Sequence, residues 1–265
     1  MKHRNISFSL SRLASEVIDV RPIVLRPSDD SIFEFESILS PGEKRHFSRF
    51  YSERLRRAAI TGRASLRILL SHYLGVPPAS IRFEYGPKGK PRILASGNLD
   101  FSVSHSNDLL VMAFTIGCGI GIDVEKISPF CNIDEIASLL FCSEEAADLA
   151  SLPSSLRQHA FFLCWTRKEA YVKAVGDGLS IPLNQFRVTL RPGEPAAFIH
   201  FGHDPRVAND WTLHNLELGH NWAAALAYKD VPRPIQRFEP LEISNVLEML
   251  WPVNHNCRGI MRTKV

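Results

Sequence analysis

The segment Gly119-Ile-Gly-Ile-Asp-Val-Glu125 alternates strictly between branched apolar residues and residues that are small or acidic. Successive side chains of a β-strand point to opposite faces, so Asp123 and Glu125 share one face and the branched residues share the other. Carboxylates two positions apart lie roughly 6.5–7 Å from each other at their Cα atoms, close enough to converge on a hard cation such as Mg²⁺. The alternative is an edge strand whose outer face is acidic but binds no metal.

A later helical pattern supplies a third carboxylate. Trp165, Glu169 and Lys173 follow one another at spacings of four residues, so they share one helix face. The simplest alternative is an exposed Glu–Lys ion pair worth a few tenths of a kcal/mol. A tryptophan one turn before this pair argues against a fully solvated face.

The predicted elements alternate between helices and strands, in an order that occurs about twice. The clearest helices cover residues 53–74 and 155–174. We expect the second helix to begin with a capping box of Ser155 and Gln158 and to end at Gly176. Apolar runs predict strands at 81–85, 99–104, 109–116, 119–125, 186–190, 197–201, 211–216 and 222–228. This order is typical of an α+β protein with two similar halves that meet near residues 117–123.

We therefore divide the chain into three parts. A first half covers residues 1–117, a second half covers 118–229, and a proline-rich tail with one short helix covers 230–265. We expect only strands and loops in the first forty residues.

The composition excludes several classes of protein. The chain has 265 residues, five cysteines and a net charge of +3. It is neither disordered nor fibrous, and this charge is too low to indicate a nucleic-acid-binding protein. Its apolar runs are strand-sized, too short for a signal peptide or a membrane span, and its scattered cysteines match no zinc-binding spacing. We therefore expect a cytoplasmic protein without membrane or nucleic-acid partners.

The charge is distributed unevenly. Eight basic residues lie between Lys44 and Arg67 against the single acid Glu53, so this segment has a charge of +7 and the remainder of the chain −4. Solvated helix faces usually mix both signs, and this one does not. The segment indicates a phosphate-rich ligand, an acidic partner protein, or both.

Two further segments are typical of anion sites. Lys88-Gly89-Lys90-Pro91 places two ammonium groups on a loop that a ligand can approach closely. Ser102-Val-Ser104-His105-Ser106 offers hydroxyl and imidazole donors at the end of a strand. Each pattern by itself also occurs in a solvated turn or an ordinary strand end.

Four motifs follow one another along the chain: Gly-Lys-Pro at 89–91, Phe101-Ser-Val-Ser-His-Ser106, Gly121-Ile-Asp-Val-Glu125, and Trp165-Thr-Arg-Lys-Glu-Ala-Tyr-Val-Lys173. In this order they resemble the 4′-phosphopantetheinyl transferases, specifically the larger, Sfp-type branch. The similarity extends over roughly residues 35–190. One departure is Ser102, where the family usually has Asn.

The resemblance implies an enzyme that transfers the 4′-phosphopantetheine arm of coenzyme A to a serine of an apo acyl or peptidyl carrier protein. The second product would be adenosine 3′,5′-bisphosphate. It also implies an α+β pseudo-dimer within one chain, with the active site in the cleft between the two halves, and a monomeric protein.

The resemblance further implies roles for individual residues. Asp123, Glu125 and Glu169 would bind Mg²⁺, or Mn²⁺ in its place. Glu169, Lys173 and Asp123 would be catalytic, and Glu169 or a water beside it would accept the proton of the carrier serine.

Other residues would hold coenzyme A. Lys173, with Lys168 nearby, would contact the pyrophosphate. The nucleotide would be held by Ser104, His105 and the loop of Lys88, Gly89, Lys90 and Pro91. The 3′-phosphate would be bound by His105 and the basic segment. The family commonly has Lys or Arg where His46 stands, so this contact would rest on Lys44, Arg45 or Arg57 in addition to His46.

Two other functions compete with this one. A coenzyme A-binding or carrier-binding protein that keeps the fold without catalysis would be expected to lack a metal ligand, whereas all three carboxylates are present. A metal-dependent phosphohydrolase unrelated to carrier proteins would need only the carboxylates and lysines.

Overall fold

The computed structural model describes residue 13 and residues 16–86, 89–94, 97–129, 132–176, 181–201 and 205–250. Within these residues, no helix combines the length and the apolar character needed to cross a membrane. The structure has mixed helix and strand content, which confirms the predicted α+β class.

Seven helices and eleven strands lie in the described part of the chain. The helices are α1 (Asp29–Ile38), α2 (Pro41–Phe47), α3 (Glu53–Leu74), α4 (Ile133–Leu140), α5 (Ser143–Ser151), α6 (Ser154–Val175) and α7 (Ile243–Glu248). The strands are β1 (Ile18–Val24), β2 (Phe83–Tyr85), β3 (Pro91–Ile93), β4 (Leu99–Ser106), β5 (Leu109–Ile116), β6 (Ile120–Lys126), β7 (Phe186–Val188), β8 (Phe198–Phe201), β9 (Thr212–Asn215), β10 (Trp222–Tyr228) and β11 (Ile235–Arg237).

The same order of elements occurs twice. A strand is followed by two short helices, a 22-residue helix, a short hairpin and two further strands, first from β1 to β5 and then from β6 to β10. Both long helices end at a glycine in the left-handed region, Gly75 at φ +68° and Gly176 at φ +84°. Glycine adopts this conformation without the steric cost that other residues incur, so both helices end where the sequence predicts.

Each half contributes strands to one of the two larger sheets, and these strands pair antiparallel to one another. In the first sheet the strand order is β11-β1-β5-β4, and in the second it is β6-β10-β9. Alternate residues of β5 enter two different cores: Leu110 and Met112 pack with α3, whereas Leu109 and Val111 pack with β6 and β10. The second sheet packs on α6 through its other face. The molecule is therefore layered as helix, sheet, sheet and helix.

The tail belongs structurally to the first half. β11 pairs in parallel with β1, with Ile235 opposite Ile18, and Ile243 and Val246 of α7 lie in the same core as α3. Residues 251–265 lie outside the described residues.

Two local predictions are wrong. The first forty residues contain a helix, α1, which begins at Asp29 and is capped by Ser28, whose side chain accepts a hydrogen bond from the Ser31 amide. The predicted capping box of α6 is absent: Pro153 precedes the helix, and Gln158 instead donates from its side-chain amide to the carbonyl of Ser128. A side chain drawn into a tertiary contact is not available to cap its own helix.

Candidate active site at the junction of the two sheets

The two sheets meet at their edge strands, β4 and β6. Three serine hydroxyls of β4 each accept a hydrogen bond from an amide of β6: Ser102 from Ile122 (3.0 Å), Ser104 from Val124 (3.3 Å) and Ser106 from Lys126 (3.1 Å). We call these three residues the serine ladder. Because an edge strand presents unpaired amides, the hydroxyls satisfy groups that would otherwise be costly to bury.

The carboxylates of β6 project into this junction. Oδ1 of Asp123 accepts hydrogen bonds from Nζ of Lys173 at 2.6 Å and from Oγ of Ser104 at 2.9 Å. Nζ of Lys173 also donates to Oγ of Ser104 at 2.9 Å. Oε2 of Glu125 accepts a hydrogen bond from Oγ of Ser106 at 2.7 Å. The alternation predicted from the sequence therefore places both carboxylates beside β4, with Lys173 of α6 between the elements.

Glu169 completes this cluster from α6, one helical turn before Lys173. Burial of its carboxyl group and the negative charges of Asp123 and Glu125 raise the pKa of Glu169. Burial also raises the pKa of Glu125, and the charge of Asp123 adds to that effect. Glu169 and Glu125 are therefore both half-buried and both lie close enough to Asp123 for its charge to disfavour their ionised forms.

Gly121 explains how β6 and α6 come so close. A Cβ atom at this position would lie 2.0 Å from the carbonyl oxygen of Ala170 and 2.4 Å from the amide nitrogen of Ala174. The strand backbone therefore rests directly on the helix backbone, where only a hydrogen atom fits. This contact brings Asp123 opposite Lys173.

The residues fit a divalent cation. Oδ2 of Asp123 and Oε1 of Glu169 are buried and have no hydrogen-bond partner among the described residues. Buried carboxylate oxygens without donors are costly, and oxygen-seeking cations such as Mg²⁺ and Mn²⁺ would satisfy them. In the side-chain positions of the described residues, no group of three or more His, Cys, Asp or Glu already converges on one point. Asp123 turns one oxygen toward Lys173 and Ser104, and Glu125 turns one toward Ser106.

The loop before β3 reaches the same junction. Nζ of Lys90 donates to the carbonyl oxygens of Ile120 (3.0 Å) and Ala174 (3.5 Å), so it bridges the start of β6 and the end of α6. Burial lowers the pKa of Lys90. Gly89, Lys90 and Pro91 line a cavity of about 240 Å³ together with residues of β4 and α6 that include Lys173. Lys88 lies outside the described residues.

His105 follows Ser104 on β4. Desolvation of its imidazole and the positive charge of Lys173 lower the pKa of His105. The structure therefore places the Gly89–Pro91 segment at the start of β6 and Ser104, with Lys173, beside Asp123 further along that strand.

The basic segment lies on α2, on α3 and on the residues between these helices. Lys44, Arg45 and His46 lie exposed on α2, and His46 borders a separate groove of about 750 Å³. Arg57 donates to Oδ1 of Asp29 at 2.6 Å and to the carbonyl of Pro27 at 2.9 Å.

Several other arginines of this segment are also engaged within the first half. Arg56 pairs with Glu36 and Glu53, each at 2.8 Å. Much of the positive charge is thus neutralised locally, and the exposed basic residues without an acidic partner in the described part of the chain are Lys44, Arg45, Arg49 and Arg54.

The structure does not support the predicted contact of Lys168 with the pyrophosphate. Its ammonium group is fully buried, 2.8 Å from Oε2 of Glu145, and donates to the carbonyls of Leu183 and Phe186. Lys168 and Glu169 are adjacent, so their side chains leave the helix about 100° apart and cannot serve the same site. Glu169 faces the junction, whereas Lys168 faces the core of the second half.

The first half contains a matching pair. Oε2 of Glu43 lies 2.7 Å from a guanidinium nitrogen of Arg67, which also donates to the carbonyls of Pro78 and Ile81. Each cation is the fifteenth residue of its 22-residue helix, and each acid lies in the first turn of the preceding short helix. The structural role of Lys168 is thus repeated by Arg67.

Sequence reasoning also missed two features of the site. The serine ladder was visible as serines at alternate positions of a strand, but only the structure shows their partners. Gly121 was assigned to the acidic face without a role, and the reason for a glycine there becomes clear only with α6 in place.

Comparisons with known proteins place both halves of the chain in one family. The family model described as 4′-phosphopantetheinyl transferase superfamily matches residues 119–227, and the one described as 4′-phosphopantetheinyl transferase, N-terminal, matches residues 25–116. The chain is 35% identical over 218 residues to the 4′-phosphopantetheinyl transferase HetI of a Nostoc species, covering 81% of this chain and 89% of the relative. It is 30% identical over 202 residues to the 4′-phosphopantetheinyl transferase Sfp of Bacillus subtilis, covering 76% and 88%. A human L-aminoadipate-semialdehyde dehydrogenase-phosphopantetheinyl transferase is 25% identical over 245 residues, covering 81% and 79%.

Proposed function

The chain belongs to the 4′-phosphopantetheinyl transferase superfamily, and we propose that it transfers the 4′-phosphopantetheine arm of coenzyme A to a serine of an apo acyl or peptidyl carrier protein. The observation that carries this proposal is the cluster of Asp123, Glu125, Glu169 and Lys173 at the junction of the two sheets. It combines three carboxylates with an ammonium group in a partly buried site, where charge can be stabilised during phosphoryl transfer.

The two halves form a pseudo-dimer within one chain. The repeated order of elements, the two glycine-ended helices and the matching ion pairs of Arg67 and Lys168 support this view. The active site occupies the cleft where edge strands β4 and β6 meet, and both halves supply residues to it.

Asp123, Glu125 and Glu169 would hold Mg²⁺, or Mn²⁺ in its place. The bound ion would neutralise charge on the pyrophosphate of coenzyme A. The two partnerless buried oxygens of Asp123 and Glu169 support this assignment.

The remaining site residues bind and orient the substrates. Nζ of Lys173 lies 2.6 Å from Oδ1 of Asp123 and binds the pyrophosphate through its positive charge. Gly89, Lys90 and Pro91 border the cavity that takes the adenosine, together with Ser102 of β4 and Lys173 of α6; Ser104 and His105 add further contacts to the nucleotide. His105 and the exposed residues of α2, Lys44, Arg45 and His46, serve the 3′-phosphate. Arg57 contributes there only when it releases Asp29.

Glu169, or a water beside it, accepts the proton of the carrier serine. The serine oxygen then bonds to the phosphorus that carries pantetheine, and the phosphoanhydride bond to adenosine 3′,5′-bisphosphate breaks.

The enzyme acts as a monomer in the cytoplasm. The three described cysteines, Cys118, Cys142 and Cys164, are free thiols, which suits a reducing compartment. The carrier protein is acidic and docks beside the exposed basic residues of the first half.

Intact-mass analysis tests the proposed transfer. The protein is incubated with coenzyme A, Mg²⁺ and a panel of apo carrier proteins, and one carrier is expected to gain the mass of one phosphopantetheine. Tight coenzyme A binding without any mass gain would indicate a binding protein instead. Cleavage of coenzyme A that proceeds equally without a carrier would indicate a phosphohydrolase.

A further inference from the structure

The serine ladder does more than join the two sheets. A serine hydroxyl has one proton to donate and two lone pairs that accept. At each serine of the ladder, the hydroxyl oxygen accepts a hydrogen bond from an amide of β6. The hydroxyl proton can then be donated to another acceptor. The three serines differ in which residue of β6 comes immediately before the amide that they contact.

Ser102 faces Gly121, which has no side chain. Its hydrogen bond from the Ile122 amide therefore joins the two strands without orienting a side chain of β6. Ser106 instead donates to Oε2 of Glu125 at 2.7 Å while it accepts from the Lys126 amide at 3.1 Å. Ser106 is thus held at a defined place by the backbone of β6 and holds the carboxylate of the preceding residue.

Within the described residues, Ser106 is the one hydrogen-bond donor to Glu125, whereas Asp123 has both Ser104 and Lys173. A glutamate has three rotatable side-chain bonds, and fixing them on metal binding costs entropy. The Ser106 hydroxyl fixes the carboxylate in advance and supports its charged form. Partners of this kind behind a ligating carboxylate are worth about 10- to 100-fold in metal affinity.

We propose that Ser106 is a positioning residue that orients Glu125 for the divalent cation, a role that Ser102, which faces Gly121, does not share. This inference rests on the proposed metal-binding role of Glu125. It adds a residue that touches neither the cation nor the reacting atoms.

The test compares the wild type with Ser106→Ala, Ser106→Thr and Ser102→Ala. Mn²⁺ is titrated into each full-length protein in the presence of coenzyme A, and free Mn²⁺ is followed by its electron paramagnetic resonance signal. Urea denaturation in EDTA reports the stability of each variant without metal.

We expect Ser106→Ala to raise the Mn²⁺ dissociation constant about 10- to 100-fold, and Ser106→Thr to restore it, because threonine keeps the hydroxyl. The Mg²⁺ concentration for half-maximal transfer should rise by the same factor in Ser106→Ala, with kcat at saturating Mg²⁺ unchanged. Ser102→Ala should lower the urea midpoint more than Ser106→Ala does, because it leaves the buried Ile122 amide without a partner whereas the Lys126 amide is exposed to water. It should nevertheless leave the Mn²⁺ dissociation constant unchanged.

Three outcomes overturn the proposal. The first is a wild-type dissociation constant in Ser106→Ala, and the second is an equal loss of affinity in Ser102→Ala, which would make the ladder merely structural. In both cases the wild type still binds Mn²⁺, so the proposed function survives. A wild type that binds no Mn²⁺ removes the metal-binding role of Glu125 and this inference with it.

Discussion

Gly121→Ala is the substitution for which the structure predicts the sharpest effect. The new methyl carbon would lie 2.0 Å from the carbonyl oxygen of Ala170 and 2.4 Å from the amide nitrogen of Ala174. Favourable contacts of carbon lie near 3.5 Å, so β6 and α6 must separate by about 1.5 Å. Both partners are backbone atoms and cannot turn aside. The strand cannot retreat either, because Ile120, Ile122 and Val124 on its other face are fully buried.

The expected cost has two parts. Overpacking of a tight core typically costs about 1–3 kcal/mol, and we expect the upper end of this range because no flexible side chain can yield. The same separation moves Asp123 and Glu125 away from Glu169 and Lys173, and a misplacement of about 1 Å can reduce turnover about a hundredfold. We therefore expect a loss of about 3 kcal/mol in the free energy of unfolding and at least a hundredfold loss of transfer.

Urea denaturation measures the first effect, and the rate of carrier modification, followed by intact mass, measures the second. Gly62→Ala is the matched control: its Cβ would lie 3.6 Å from the nearest atom, a methyl of Leu110, which is an ordinary contact. Since Gly62 is inside α3, this change should stabilise the protein by up to about 1 kcal/mol and leave transfer unchanged. If Gly121→Ala folds with wild-type stability and modifies the carrier at the wild-type rate, the inferred backbone contact between β6 and α6 is wrong.

Three further predictions concern single charged groups. Asp123→Asn keeps the shape and the hydrogen bond to Ser104 but removes a charge, so we expect an intact fold by circular dichroism and at least about a hundredfold loss of transfer; near-normal turnover would contradict the metal assignment. Lys168→Met leaves the carboxylate of Glu145 buried without its cation, so urea denaturation should show a loss of about 3–5 kcal/mol, and adding Glu145→Gln should recover part of it; a neutral effect of the single change would refute the buried pair. Burial alone would raise the pKa of Glu43, but hydrogen bonds from the Ser40 amide and Arg67 outweigh it and hold the pKa below its ordinary value. The ionised carboxylate therefore stabilises the fold at pH values above its ordinary pKa, and this stabilisation is lost as the pH falls through the lower pKa of the folded state. The difference in free energy of unfolding between wild type and Glu43→Gln should accordingly become smaller on acidification. A difference that stays constant with pH would contradict this linkage.

Local patterns predicted much of the secondary structure. β10 begins and ends at Trp222 and Tyr228, as its apolar run predicts, and α3 ends before Gly75 as its pattern requires. α1 was not predicted, although Ser28 offers a cap and Ile32, Phe35 and Leu39 recur at helical spacing. The pattern covers only ten residues, too few to identify a helix without its packing against α3. The capping box of α6 failed because Gln158 finds a partner at Ser128, thirty residues earlier, which no local rule contains.

The sequence by itself determined most of the longer strands and both long helices, since side-chain period and glycine stops act over a few residues. It also determined which chemistry is available, through two carboxylates on one strand face and Glu169 and Lys173 on one helix face. Only the tertiary structure decided where these faces meet. The backbone contact at Gly121, the serine ladder between two sheet edges, and the burial of Lys168 beside Glu145 join residues far apart in the chain. Such contacts arise when layers pack, and adjacent residues such as Lys168 and Glu169 then take opposite roles, one in the core and one in the site.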